Sequence, residues 1–232
     1  MRKLILSIVL IYISDCFAIA QEPKDVRIRS GEDPALGFSA YGFYRFPTFN
    51  KGFVFLKKGG TSAARLNYHI LNDEIQFISA NGDTLALADP LSISYITIDS
   101  SWFYYSNGYL EVIANHASLK LARKLRLNMR TEKIGGYGQP SPSGSIRTPN
   151  KIIRGSTGQD LNVNQDIIIH KEFNYYWLDQ YNTVLKATKV NLLKLLDPDK
   201  KVTVEEYLKK NKVDFNNELD LQKLLNYSLK IP

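Results

Sequence analysis

Between Gly52 and Met129 the chain is interrupted by turn residues so often that no ten-residue helix fits between the interruptions. Phe53-Val54-Phe55-Leu56 runs into Lys58-Gly59-Gly60, a turn with two glycines able to take positive φ. Residues Ala63 to Leu71 return, Asn72-Asp73 reverses the chain again, and Glu74 to Ser79 meets Asn81-Gly82, the strongest short hairpin signal in the sequence, before Thr84 to Ala88. Ser92 to Ile98 alternates polar and apolar residues as a half-buried strand does, and Ser101 to Tyr105 and Tyr109 to Ile113 flank a second hairpin signal at Asn107-Gly108. Short strands at close spacing predict an antiparallel sheet, because parallel strands need crossover connections of a dozen residues or more. The expected fold class is therefore mainly β (α+β): an antiparallel sheet, roll or sandwich-like, spanning 37–130 and carrying a small C-terminal helical segment.

Upstream of the strands, Tyr41, Phe43, Tyr44, Phe46 and Phe49 crowd around Gly42 and Pro47, which predicts a docked segment or an irregular first strand lining the core. At the downstream end, Leu119, Leu121, Leu125, Leu127 and Met129 fall on one face of a strand, while Lys120, Lys124, Arg126 and Arg130 fall on the other. Arg123 breaks the alternation. The charged face reads either as a solvated guard against edge pairing or as a positive strip for an acidic partner. Residues 131–165 are rich in Gly, Ser and Pro and predict a long flexible loop. Phe173 to Leu178 and Thr183 to Ala187, around Asp179-Gln180, predict a further hairpin within 166–188 that brings Trp177 to the core.

The period then turns helical across 189–232. Val190, Leu193, Leu195 and Leu196 end at Asp197-Pro198-Asp199; Thr203 with Glu206 forms a capping box predicting a helix through Asn211; and Leu219 to Leu229, capped by Asn217, predicts a last helix.

The first residues are expected not to belong to the folded body at all. Arg2 and Lys3 precede the apolar run Leu4 to Ile13, and Ser14-Asp15 leads to Ala18-Ile19-Ala20, the order of a cleavable export signal over 1–20. That run is too short to span a bilayer. Cys16 offers a rival reading as a lipid-bearing residue, but charged Asp15 stands where lipoprotein signals carry a small residue. Cleavage after Ala20 would leave 212 residues, remove the only cysteine, and retain +6 of the formal +7, since Arg2, Lys3 and Asp15 go with the signal. Such a chain can bury a sizeable core without disulfides. Residues 21–36 are charged and sparse in large apolar groups, which predicts a poorly ordered lead-in. The expected location is extracytoplasmic: periplasmic, outer-surface or secreted.

No pattern points to particular chemistry. His69, His116 and His170 are far apart, without metal-ligand spacing, and neither a Gly-x-Ser-x-Gly elbow nor a helix-opening glycine-rich phosphate loop occurs. No catalytic residue, metal site or cofactor is assigned. The aromatic runs Trp102 to Tyr105 and Tyr175 to Trp177 are more informative, because alternate rings on a strand point to opposite faces. Unless a helix of the tail covers them, some rings face outward. Trp102, Tyr104, Lys120, Lys124 and Arg126 are accordingly the candidate ligand-binding residues.

Gly52 to Thr61 (GFVFLKKGGT), Leu66-Asn67-Tyr68, Glu74 to Phe77 (EIQF), Val204 to Asn211 (VEEYLKKN) and Val213-Asp214-Phe215, behind a signal ending Ala-x-Ala-Gln, resemble a broad group of uncharacterised secreted proteins of the Bacteroidota. The resemblance implies export, a β body and a helical tail, and carries no site. The expected function is a noncatalytic binding module for an envelope protein or an anionic polymer, without a nucleic-acid partner or a membrane span after cleavage. The alternatives are a hydrolase of a cell-wall or glycan polymer and a structural subunit of an envelope complex.

Overall fold

The computed structural model describes residues 25–32, 42–116, 118–134, 140–147 and 166–229. Its strands are β1 (Asp25–Ile28), β2 (Asn50–Leu56), β3 (Thr61–His69), β4 (Glu74–Ile78), β5 (Thr84–Ala86), β6 (Ile93–Ile98), β7 (Ser101–Tyr105), β8 (Tyr109–His116), β9 (Leu119–Ile134), β10 (Pro140–Arg147), β11 (Asp166–Asp179) and β12 (Val184–Lys186). They form one 12-stranded sheet in the order β1-β11-β9-β8-β7-β6-β2-β3-β4-β5, with β10 on β9 and β12 on β11. Every pairing is antiparallel. The protein is mainly β with helices at its C-terminal end, as the turn spacing and the later helical period predict. Asn107 and Gly108 both take positive φ, 50° and 110°, in the three-residue loop that joins the directly paired Tyr105 and Tyr109.

Although the terminal strands β1 and β5 do not pair, the sheet curls so that its two halves share one core. Leu66, Tyr68 and Ile75 from β3 and β4 pack in the same cluster as Leu125 and Leu127 of β9 and Ile167 and Ile169 of β11. A polar staple joins the halves. Asp73, in the β3–β4 turn, accepts hydrogen bonds from the Tyr68 hydroxyl and the Tyr109 amide, both at 2.9 Å, and pairs with the Lys124 ammonium at 2.8 Å. Lys124 Nζ also donates to the Asn107 carbonyl at 2.6 Å. Residues 42–50 dock onto this core, with Arg45 N donating to Tyr68 O at 2.9 Å and Ile70 N to Phe43 O at 2.7 Å. The aromatic segment thus lines the core as its composition predicts; Phe38 and Tyr41 lie outside the described residues.

Three helices follow: α1 (Lys189–Leu195), α2 (Pro198–Lys210) and α3 (Glu218–Leu229). The Thr188 side chain caps α1 by accepting from Asn191 N at 3.2 Å, and Asn217 Oδ1 receives Asp220 N at 3.2 Å at the start of α3. Leu192, Leu196, Val204, Leu221, Leu224 and Leu225 bury themselves against Leu119, Leu121, Tyr175 and Trp177. The helices therefore cover one face of β9 and β11, and Trp177, 0% exposed, donates from Nε1 to Thr188 O at 3.3 Å.

Four expectations are corrected. Asp25–Ile28 is a strand within the predicted lead-in: Val26 and Ile28 alternate with Asp25 and Arg27, Ile28 is buried, and Arg27 pairs with Glu132 at 2.8 Å and Asp166 at 2.9 Å. Within the predicted loop 131–165, β9 runs on to Ile134 because β11 continues beside it to the Asp166–Glu132 pair. Residues 140–147 pair with the same strand as β10, which lies on an edge where a proline's missing donor is tolerated. The helix predicted to open at Thr203 opens at Pro198, since proline at the first position is preset for a helix and gives up only an N–H that would be unpaired there. The rest of the loop and the signal segment lie outside the described residues.

Candidate binding face

Register fixes which side chains share the face opposite the helices, because directly paired residues on antiparallel strands point the same way. Phe55 pairs with Tyr95 and Phe53 with Thr97, while Thr97 pairs with Trp102. Tyr104 pairs with Leu110, and Trp102 with Val112, which in turn faces Ala122. This outer face gathers Phe53, Phe55, Tyr95, Trp102 and Tyr104 into a strip across β2, β6 and β7. Phe55 and Tyr95 stack with centroids 4.3 Å apart and planes at 17°, and Tyr95 and Trp102 stack at 5.2 Å and 7°. Tyr104 lies 6.0 Å from Tyr95. Parallel rings that close are offset stacks, the favoured geometry for aromatic pairs.

The strip is a surface and not a core. Trp102 is 38% and Phe53 36% exposed, whereas Tyr104 is buried with Leu110, Ala122 and Leu178 beneath the strip's edge. Burial pushes the Tyr104 hydroxyl pKa above its ordinary value. A cation stands at each end: Lys51 Nζ lies 5.6 Å from the Phe53 ring centroid and Lys120 Nζ 5.6 Å from that of Tyr104. Desolvation pushes the Lys120 pKa down, partly countered by Asp179. The same ammonium donates to Asn182 Oδ1 at 3.3 Å. Arg65, paired with Lys51 in register, adds a third positive group to the Phe53 end.

Of the five residues singled out from the sequence, the structure brings Trp102, Tyr104 and Lys120 together. Arg126 is exposed on the same face of β9, further along the strand. Lys124 is corrected: it does not face solvent, since its side chain is 8% exposed and committed to Asp73. Its long stem reaches the turns that close the roll, a destination no local alternation reveals. Phe53, Phe55, Tyr95 and Lys51 were not assigned to the face. The spacing Lys51-x-Phe53-x-Phe55 does carry the signal, because alternate residues of a strand share a face.

Several of the remaining ionisable groups pair with one another. Arg123, the break in the β9 pattern, faces the helices, where it meets Glu111 at 3.0 Å and Glu218 of α3 at 2.8 Å. Arg45 adds a second cation on Glu111 at 3.0 Å. Two carboxylates thus converge on the Arg123 guanidinium, with Arg45 as a second donor to Glu111. Among the described residues, no group of three or more His, Cys, Asp or Glu is placed to hold a metal ion, and no helix is long and apolar enough to cross a membrane. No family model matches the chain, and neither a curated protein nor a solved structure matches it.

Proposed function

We propose that this chain is an exported, noncatalytic binding module that holds an anionic polymer against the outer face of its sheet. One observation carries the reading: the inner face is packed into the core of the curled sheet and, at the β9–β11 end, under the helices, while the outer face keeps a stacked strip of rings, two of them more than a third exposed, between Lys51 and Lys120. Exposed aromatic surface set among cations suits a partner with apolar and negative groups in alternation. Export rests on the signal-like order of Arg2-Lys3, the apolar run and Ala18-Ile19-Ala20, in keeping with the resemblance to secreted Bacteroidota proteins.

Binding is tested by titrating the protein with a panel of acidic polymers while following tryptophan emission. Of the two tryptophans, Trp177 is fully buried, so a change of emission on binding reports Trp102. The expected result is saturable binding to a panel member that weakens as salt rises and drops when Lys51 and Lys120 are both replaced by Gln. Binding unchanged in that variant, or no binding to any member, overturns the reading. Export is checked by the mass of the natural product, whose chain should begin at Gln21.

A further inference from the structure

We infer that the polymer is an acidic polysaccharide, a chain of uronate sugars, with Phe53 and Trp102 each receiving one sugar ring and the flanking lysines receiving its carboxylates. The inference rests on the outer face being the binding surface and goes beyond it in naming the ligand's chemistry. Three features of the face argue for a sugar chain over a plain polyanion.

The first is the placing of the exposed rings. Phe53, Thr97 and Trp102 form one cross-strand row, each paired with the next. The two rings are therefore two strand spacings apart, about 10 Å at the backbone. That distance matches alternate sugars of an extended two-fold polysaccharide, the ones that present the same face to a surface. Thr97, between them, is short enough to leave room for the intervening sugar and carries a hydroxyl that can meet its oxygens.

The second feature is the pairing of ring and charge. Lys51 stands 5.6 Å from the Phe53 centroid. A pyranose ring offers apolar C–H groups on one face, and a uronate adds a carboxylate at the ring's edge. Such a sugar therefore meets an aromatic plate and an ammonium together, whereas polyphosphate has no apolar face to lay on Phe53 or Trp102. The third is exposure without strain: the 5.2 Å stack of Tyr95 on Trp102 holds the indole in place while leaving it 38% exposed, so its ordering is largely complete before a ligand arrives.

The test uses three probes against the full protein: polymannuronate, neutral mannan and inorganic polyphosphate, at matched chain length and ionic strength. Polymannuronate is expected to bind most tightly. Trp102→Ala and, separately, Phe53→Ala should each weaken it by about tenfold, the factor that goes with losing some 50 Å² of apolar contact. Weak polyphosphate binding should be unchanged in both variants. Urea midpoints confirm that each variant folds, and the second variant stands in if the first does not. Polyphosphate binding as tightly as polymannuronate, with the ring substitutions neutral, overturns the polysaccharide but leaves an anion-binding face. Mannan binding as tightly as polymannuronate overturns the assigned role of the carboxylate. Failure of both anionic probes removes the inference and the function it rests on together.

Discussion

Replacing Lys124 by Met should destabilise the fold as a core defect does, although a lysine on a basic strand would ordinarily be a surface residue. The ammonium makes a 2.8 Å ion pair with Asp73 and a 2.6 Å hydrogen bond to the Asn107 carbonyl, and its side chain is 8% exposed. Hydrogen bonds with a charged partner contribute about 1.5–3 kcal/mol each, and breaking a fully buried pair costs about 3–5 kcal/mol. Asp73 is 31% exposed and regains some water, so the lower part of that range applies, about 2–4 kcal/mol. With a urea slope of about 2 kcal/mol/M, the midpoint should fall by about 1–2 M. The assay is urea unfolding of the wild type, Lys124→Met, Asp73→Asn and the double variant. The pair should couple by more than about 1 kcal/mol, because Lys124 and Asp73 act as one unit. A single-variant cost below about 0.5 kcal/mol, the usual limit for surface sites, would refute the assignment of Lys124 to the staple.

Two further outcomes follow from the same geometry. Gly108 has φ +110°, and a Cβ there would lie 1.8 Å from Lys124 Nζ and 2.0 Å from Asp73 Oδ2, so Gly108→Ala should cost more than about 3 kcal/mol. Gly59→Ala, at φ +88° with nothing within 4 Å, should cost only the backbone strain of about 1–2 kcal/mol; equal urea midpoints for the two variants would contradict the staple. His69 stacks on Phe43 and accepts the Asn72 amide on Nδ1 at 3.1 Å, and burial lowers its pKa. The unfolded chain therefore takes up this proton first, so the contribution of His69 is fully present above the unfolded pKa of about 6.5 and declines as pH falls below it. Urea midpoints between pH 7.5 and 5.5 should fall less steeply in His69→Gln, and identical slopes would contradict a buried neutral imidazole.

What the sequence revealed was whatever a few neighbouring residues decide. Asn107-Gly108 marks a turn because both residues must take positive φ, and the alternating leucines of β9 mark one buried face because period two has no other use there. The β1 strand was hidden: four residues are too few for a pattern, and the charge of Arg27 is matched by Asp166 and Glu132, distant in sequence. β10 was hidden for the opposite reason, since main-chain pairing on an edge needs no particular side chains. At the candidate face, Trp102 and Tyr104 were visible as an aromatic run. Their convergence with Phe53 and Tyr95 depends on β6 lying between β2 and β7, a matter of strand order that local patterns do not contain.

The assignment of the outer face as the contact surface is tested most directly by mapping amide chemical-shift changes as polymannuronate is added to the isotope-labelled protein. The shifts should concentrate on Phe53, Thr97, Trp102 and Lys120, leaving Leu121 and the α3 leucines on the helix-covered side unmoved. Shifts centred on the helices, or on the Arg45–Glu111–Arg123 cluster with the strip silent, would contradict the account.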